Sequence, residues 1–281
     1  MSRSLSVIVT TYEWPEALGA VLSGLGDQQD EDFEVVVADD GSGPRTREIV
    51  EAMASRGRLA GRLKHAWQPD EGFRAARCRN LAASMAEGSI LVLLDGDCIP
   101  RPGFVRAHRR CRPGLALRGS RCLLNEQATK DALDSGVSPQ GRSSASWFSH
   151  WRRGEVNRMP MIAGTPVPGL GRRLSWKSFR TCNASVHRTD FEAVDGFDHD
   201  FHGWGYEDSD LAIRLQSSGV VIRGATPAAA VIHLWHDEQD RSLEGENRAR
   251  LEEVRGSKRT RARRGLSSLA GDLPDLRTRR S

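Results

Sequence analysis

The chain has 281 residues, 38% hydrophobic and 28% charged, enough to bury one sizeable core or two subdomains that share a sheet. The net charge of +4 is uneven, because residues 255–281 carry nine Lys/Arg against two Asp/Glu and leave the preceding body mildly acidic. This excludes a surface basic all over that would coat a nucleic acid polymer, and no apolar run reaches the length of a membrane span.

The first hundred residues alternate between two periodicities. Leu5–Thr10 is a short β-branched run, too short and wrongly flanked for a signal peptide, and Trp14–Leu25 follows with helical spacing. Phe33–Ala38 predicts a second buried strand, Thr46–Ala54 a helix, and Leu63–Trp67 a weaker strand. Cys78, Leu81, Ala82 and Met85 fall on one helical face, and Ile90–Leu94 closes the series. Alternating strands and helices imply parallel βαβ units with helices covering the sheet. Ligands of such sheets bind at the carboxyl ends of the strands. That rule selects the loops beginning at Thr10, Asp39 and Asp95.

Periodicity is lost from Leu123 to Lys177, a stretch rich in Ser, Gly, Pro and Arg, which reads as a functional lid or a disordered loop. Order resumes with a strand-like run at Phe179–Val186 and helices over Arg188–Val194 and Glu207–Gln216. Short strands at Val220–Arg223 and Ala230–His233 and a charged helix over Arg241–Val254 complete the series. The five cysteines lack C-x-x-C spacing and read as free, buried thiols in a reducing compartment. The expected location is cytoplasmic. The basic tail reads either as a solvated, flexible segment or as a peripheral contact with anionic lipid at the inner face of a membrane.

Asp95-Gly96-Asp97 ends a buried strand with two carboxylates that can reach one cation. Hard divalent ions take oxygen ligands, and Mg²⁺ commonly uses one or two carboxylates plus substrate phosphates. Taken alone the tripeptide is turn chemistry. In context, Leu93-Leu-Asp-Gly-Asp-Cys-Ile-Pro100, Ser6-Val-Ile-Val-Thr-Thr-Tyr12 and Val37-Ala-Asp-Asp-Gly-Ser42 resemble, in order and spacing, family 2 glycosyltransferases. The resemblance implies a GT-A fold: an α/β, Rossmann-like nucleotide-binding half with a mostly parallel central sheet, then an acceptor-binding half. The boundaries expected are 1–100, 101–254 and a tail at 255–281. It further implies that Thr10, Tyr12 and Asp40 hold the uridine, that Arg74 faces the diphosphate, that Asp95 contacts ribose or metal, and that Asp97 is a metal ligand. Thr10 and Glu13 depart from the proline and asparagine common at those places.

Gly203-Trp-Gly-Tyr-Glu-Asp208 opens a helix. Its acids read either as dipole-complementing groups or as a general base beside an aromatic floor, Trp204, on which a sugar ring stacks. The segment resembles the Gly-Trp-Gly-x-Glu-Asp motif of β-galactosyltransferases and chondroitin-polymerase-like enzymes. By that resemblance Asp208 is the base and Glu207 orients the acceptor. His233 and His236, three apart, can share one face of a turn. The resemblance makes His236 first, and His233 second, partner to Asp97 around Mn²⁺ or Mg²⁺.

The expected activity is inverting transfer of a hexose or N-acetylhexosamine from a nucleotide-sugar, UDP-linked, to a glycan or glycolipid hydroxyl, as in lipopolysaccharide or capsule synthesis. The alternatives are a nucleotidyltransferase-like enzyme and a non-catalytic sugar-nucleotide or polysaccharide-binding protein. Neither a G-x-G-x-x-G after the first strand nor a P-loop is present.

Overall fold

The computed structural model describes residues 4–135, 143–159, 173–237 and 240–271. Four strands, β1 (Leu5–Thr11), β2 (Phe33–Asp39), β3 (Leu63–Trp67) and β4 (Ile90–Asp95), alternate with helices α1 (Pro15–Gly26), α2 (Pro44–Arg56) and α3 (Ala75–Met85). They pair in parallel in the order β3-β2-β1-β4. After β4 come a short strand β5 (Cys98–Pro100), helix α4 (Phe104–His108) and strands β6 (Leu115–Arg118) and β7 (Arg121–Leu123). Helices α5 (Glu126–Asp134) and α6 (Ser144–Arg152) follow, then β8 (Asn183–His187), α7 (Arg188–Ala193) and α8 (Glu207–Ser217). The described chain closes with β9 (Val221–Gly224), β10 (Val231–His233) and α9 (Glu244–Ser257).

The main sheet has seven strands in the order β3-β2-β1-β4-β8-β6-β9. Only β8 runs against its neighbours, so the sheet is mostly parallel. A second sheet, β5-β10-β7, joins the end of the first hundred residues to the second half. The two halves therefore share both sheets. Residue alternation along a strand sends side chains to opposite faces. Val7, Val9, Val35 and Val37 pack with α1 on one face, and Ile8, Val36, Leu91 and Leu93 pack with α3 and α8 on the other. Covering both faces explains why these strands read as unbroken apolar runs. All five cysteines are free and buried.

Two expectations need correction. The stretch from Leu123 to Lys177 is not wholly irregular, since α5 and α6 lie within it and Trp147 on α6 is fully buried. Residues 136–142 and 160–172 lie outside the described part. The boundary at 255 falls inside α9, and residues 258–269 pack against the body instead of forming a solvated tail. Leu269 joins the core beside α3. Buried Asp198 accepts hydrogen bonds from Arg259 (2.8 Å) and from the Arg263 amide (2.9 Å). Asp195 accepts from the amide and hydroxyl of Ser267, both at 2.8 Å. Arg255, Arg261, Arg263 and Arg264 also lie within ion-pair reach of carboxylates. Residues 272–281 lie outside the described part, and no helix among the described residues is long and apolar enough to cross a membrane.

Gly265 is required at this junction, because a Cβ there would lie 2.0 Å from the Asp195 carbonyl oxygen. Gly265→Ala should destabilise the fold by about 1–3 kcal/mol, the usual cost of overpacking. Urea unfolding at neutral pH checks this, and an unchanged midpoint would mean that the C-terminal segment does not dock.

Candidate active site

The chain leaves β1 outward to β2 and β3, then returns to β4 on the other side of β1. The carboxyl ends of β1 and β4 are thus the switch point where open α/β sheets bind ligands. A cleft of about 490 Å³ opens there, lined by Thr10, Tyr12, Asp40, Asp95, Asp97, Trp204, Glu207, Asp208 and His236. Residues from both halves of the sequence meet in it.

The loop after β2 is built by its own acids. Asp39, fully buried, accepts the Ser42 amide at 2.8 Å and holds His65 at 2.9 Å. Asp40 accepts from the Gln68 side chain (2.5 Å) and the Arg74 amide (2.7 Å), and burial raises its carboxyl above the ordinary range. Glu13 accepts the amide of Gly43, the N-cap of α2, at 2.7 Å and so fastens the first loop to the second. The Tyr12 hydroxyl donates to Asp70 at 3.0 Å, leaving the ring half exposed. Arg74 differs from expectation. Its guanidinium turns to Glu71 and the Pro69 carbonyl and is absent from the cleft lining. Phe73 and Ala75 line the cleft on either side of it, and the arginines that do so are Arg79, Arg121 and Arg180.

Arg79, on α3, is the group that sequence reasoning missed. Its side chain is 5% exposed and donates to Thr10 Oγ1 (3.0 Å), Asp95 Oδ1 (3.1 Å) and Glu207 Oε1 (3.2 Å). Burial disfavours its charge, yet Asp95, Glu207 and Asp208 hold its pKa above the ordinary value. A signal was present: the helical neighbours of Arg79 at i±3 and i±4 are Ala75, Ala76, Ala82 and Ala83. An arginine ringed by alanines on a helix faces a close-packed partner.

Burial pushes the Asp95 carboxyl up to about 6, against the pull of Arg79 and with help from Asp97 and Asp208. Glu207 is pushed up to about 7 by burial and by its neighbour Asp208, again against Arg79. α8 starts from a left-handed Tyr206 (φ 73°) that gives no side-chain cap. Two of its acids make tertiary contacts, Glu207 to Arg79 and Asp208 to Thr181, whose hydroxyl and amide (3.2 Å) both donate to it, while Asp210 pairs with Arg214 one turn along the same helix. Thr181 is a second residue the sequence did not reveal. The Arg241 guanidinium lies 4.6 Å from the centre of the Trp204 ring.

Asp97, His233 and His236 come together, each offering a ligand atom within 4.8 Å of the others. Asp97 Oδ2 is 3.6 Å from His233 Nε2 and 3.4 Å from His236 Nε2. Asp97 Oδ1 is buried without a hydrogen-bond partner. His236 Nδ1 lies 2.7 Å from the Asp237 carbonyl, a contact only an N–H can make, so a neutral ring turns its Nε2 lone pair toward Asp97. An orphaned carboxylate oxygen beside two imidazoles fits a divalent transition ion. Gly96 serves this loop by closeness rather than by an unusual φ. Its amide donates to the Thr10 carbonyl at 2.7 Å, and a Cβ would lie 2.8 Å from that oxygen.

Residues 6–108 match the glycosyl transferase family 2 description, and residues 165–237 match the N-terminal domain of galactosyltransferase. The chain carries a family 2 glycosyltransferase module. Over 229 residues it is 33% identical to validoxylamine A glucosyltransferase of Streptomyces hygroscopicus subsp. jinggangensis, covering 77% of this chain and 52% of that one. The chain thus spans about half the length of this relative. Staphylococcus aureus TarS 1-349 in complex with UDP superposes with a TM-score of 0.60 at 17% identity, covering 92% of this chain and 65% of that one. GalNAc-T7 with UDP, GalNAc and Mn2+ gives 0.62 at 15% identity, covering 98% and 55%. At such identities these two likenesses establish the fold, which is GT-A.

The raised Glu207 carboxyl sets a pH dependence. The folded state holds a proton that the unfolded chain releases near pH 4.5, so stability falls as pH rises from about 4.5 to about 7 and then levels. Glu207→Gln should flatten this slope and exceed the parent in stability at pH 8. Urea midpoints from pH 5 to 8 read it; parallel curves for the two proteins would contradict the assignment.

Proposed function

We propose that the protein is an inverting, metal-dependent glycosyltransferase that moves a hexose or N-acetylhexosamine from a UDP-sugar to a hydroxyl of a glycan or glycolipid. The observation that carries the reading is the convergence, in one cleft, of the β1, β2 and β4 loops with Asp97–His236 and with Glu207–Asp208. A nucleotidyltransferase would not require the second-half elements. A non-catalytic binder would not require a carboxylate held by two donors beside the nucleotide loops.

In this reading Thr10, Tyr12 and Asp40 hold the nucleoside, and Asp95, fixed by Arg79, meets the ribose. Asp97, His236 and His233 hold Mn²⁺ or Mg²⁺. When bound, the cation screens the donor diphosphate and stabilises charge on the departing nucleotide. Trp204 gives the acceptor ring a floor. Thr181 holds the Asp208 carboxylate toward the cleft, where it takes the proton of the attacking hydroxyl. The oxygen then bonds to the anomeric carbon from the face opposite the leaving nucleotide, and the electron pair of the broken C–O bond leaves with UDP. Inversion follows, so an α-linked donor gives a β-linked product. Glu207, tied to Arg79, orients the acceptor. The Arg74 guanidinium has no part in this scheme, because it points to Glu71. In the same reading the acceptor is a carbohydrate, with polysaccharide or lipopolysaccharide assembly as the setting and the cytoplasm as the place.

Asp208→Asn should keep UDP binding within about twofold and lower transfer by about 10²–10⁴, the range of a lost general base. Product formation from UDP-sugars, read by mass spectrometry, checks it; near-parental turnover returns Asp208 to a structural role. Mn²⁺ should raise the melting temperature of the parent, EDTA should reverse the rise, and Asp97→Asn should abolish it. Turnover indifferent to EDTA would remove the cation from the scheme.

A further inference from the structure

Beside the main cleft lies a second pocket of about 290 Å³, sharing Arg121, Arg180 and Cys182 with it. Five cations line it: Arg118, Arg121, Arg158, Lys177 and Arg180. No carboxylate lines it, and among the described residues none forms an ion pair with any of the five. Residues 136–142 and 160–172 contain no Asp or Glu either. Elsewhere the protein pairs its arginines freely, as in Arg79, Arg109 and Arg214.

Arg118 shows the strain of this arrangement. Its Nε is buried without a hydrogen-bond partner. Its remaining bond is a long 3.4 Å contact to the Gly119 carbonyl. Burial lowers its pKa, and Arg158, Arg121 and Arg180 lower it further by repulsion. Like charges gathered in a concave, partly dry site focus a positive potential that an anion relieves. Arginine forks also match the planar or tetrahedral oxygens of carboxylates and phosphates.

We infer that this pocket is a subsite for an anionic group, phosphate or carboxylate, carried by the acceptor. Position separates it from the donor. Its walls come from β6, β7 and the residues around 158 and 177–182, and none of the β1, β2 or β4 loops contributes. Thr181, which holds Asp208, sits between Arg180 and Cys182 on the shared wall. An acceptor hydroxyl at Asp208 thus has as its neighbour a basic pocket that the β1, β2 and β4 loops do not line. The inference rests on the transferase reading for the word acceptor, while the pocket's preference for anions rests on its own charges.

The test uses Arg158→Gln/Lys177→Gln. Both residues are exposed and line only this pocket, so the fold and the main cleft are spared. Calorimetric titrations of inorganic phosphate and of D-glucuronate, with glucose as the neutral control, are run with and without saturating UDP and Mn²⁺. Expected are binding of at least one anion but not glucose, persistence of that binding with UDP present, and at least about tenfold weaker binding in the double variant. The tighter anion names the group. UDP affinity should stay within about twofold. Equal anion binding by parent and variant overturns the inference, and so does displacement of the anion by UDP, which would give the cations to the donor diphosphate. Failure of the parent to bind UDP would strike the donor reading instead, and the titrations without UDP would still decide the pocket.

Discussion

The site depends on one buried guanidinium. Arg79 rises from α3 between the end of β1 and the start of α8, and its donors reach Thr10, Asp95 and Glu207. The hydroxyl and the Asp95 carboxylate belong to the first hundred residues, and Glu207 lies far along the chain. Six acidic groups line this cleft, and three of them, Asp40, Asp95 and Glu207, carry raised pKa values. Without Arg79 their mutual repulsion would oppose closure of the second half onto the first. Removing the cation from such a buried set commonly costs several kcal/mol, because the carboxylates are left without compensation. The arrangement therefore sets geometry as much as stability.

A second constraint holds the turn that delivers Glu207 and Asp208. The segment from Asp195 to Tyr206 contains left-handed residues at Asp195, Gly196, Gly203, Gly205 and Tyr206. Such a path persists only when its surroundings over-determine it. Asn80 of α3 receives the Phe197 amide and donates to the Phe197 carbonyl. Residues 259–267 hold Asp195 and Asp198 from the other side, and Asn247 of α9 donates to the His202 carbonyl at 2.8 Å. The part of the chain that read as a solvated tail thus braces the turn that carries the acids. Most of its basic residues lie within ion-pair reach of carboxylates.

The cleft divides by chemistry. Its nucleotide side is made of backbone turns and short acids at strand ends. Its far side, beyond Asp208, is made of arginines that form no ion pair among the described residues. The cluster of Asp97, His233 and His236 lies between, where the loop after β4 meets the strand β10 that pairs with β5. Sharing two sheets between the halves is what brings Asp97 together with residues more than a hundred positions later.

The sequence by itself determined the alternating first half, because buried parallel strands must be apolar throughout and their loops must carry the polar groups. It also marked Asp97, Asp208 and His236 as candidates, since short motifs with fixed spacing keep their chemistry legible. Tertiary structure alone decided three matters. Arg79 and Thr181 became site residues through contacts across long separations; the alanines around Arg79 mark close packing but do not name its partners. The Arg74 guanidinium turned to Glu71 and the Pro69 carbonyl and so is absent from the cleft lining. The tail became a brace because its arginines met buried aspartates from another segment, and charge complementarity between distant residues leaves no trace in either stretch read alone.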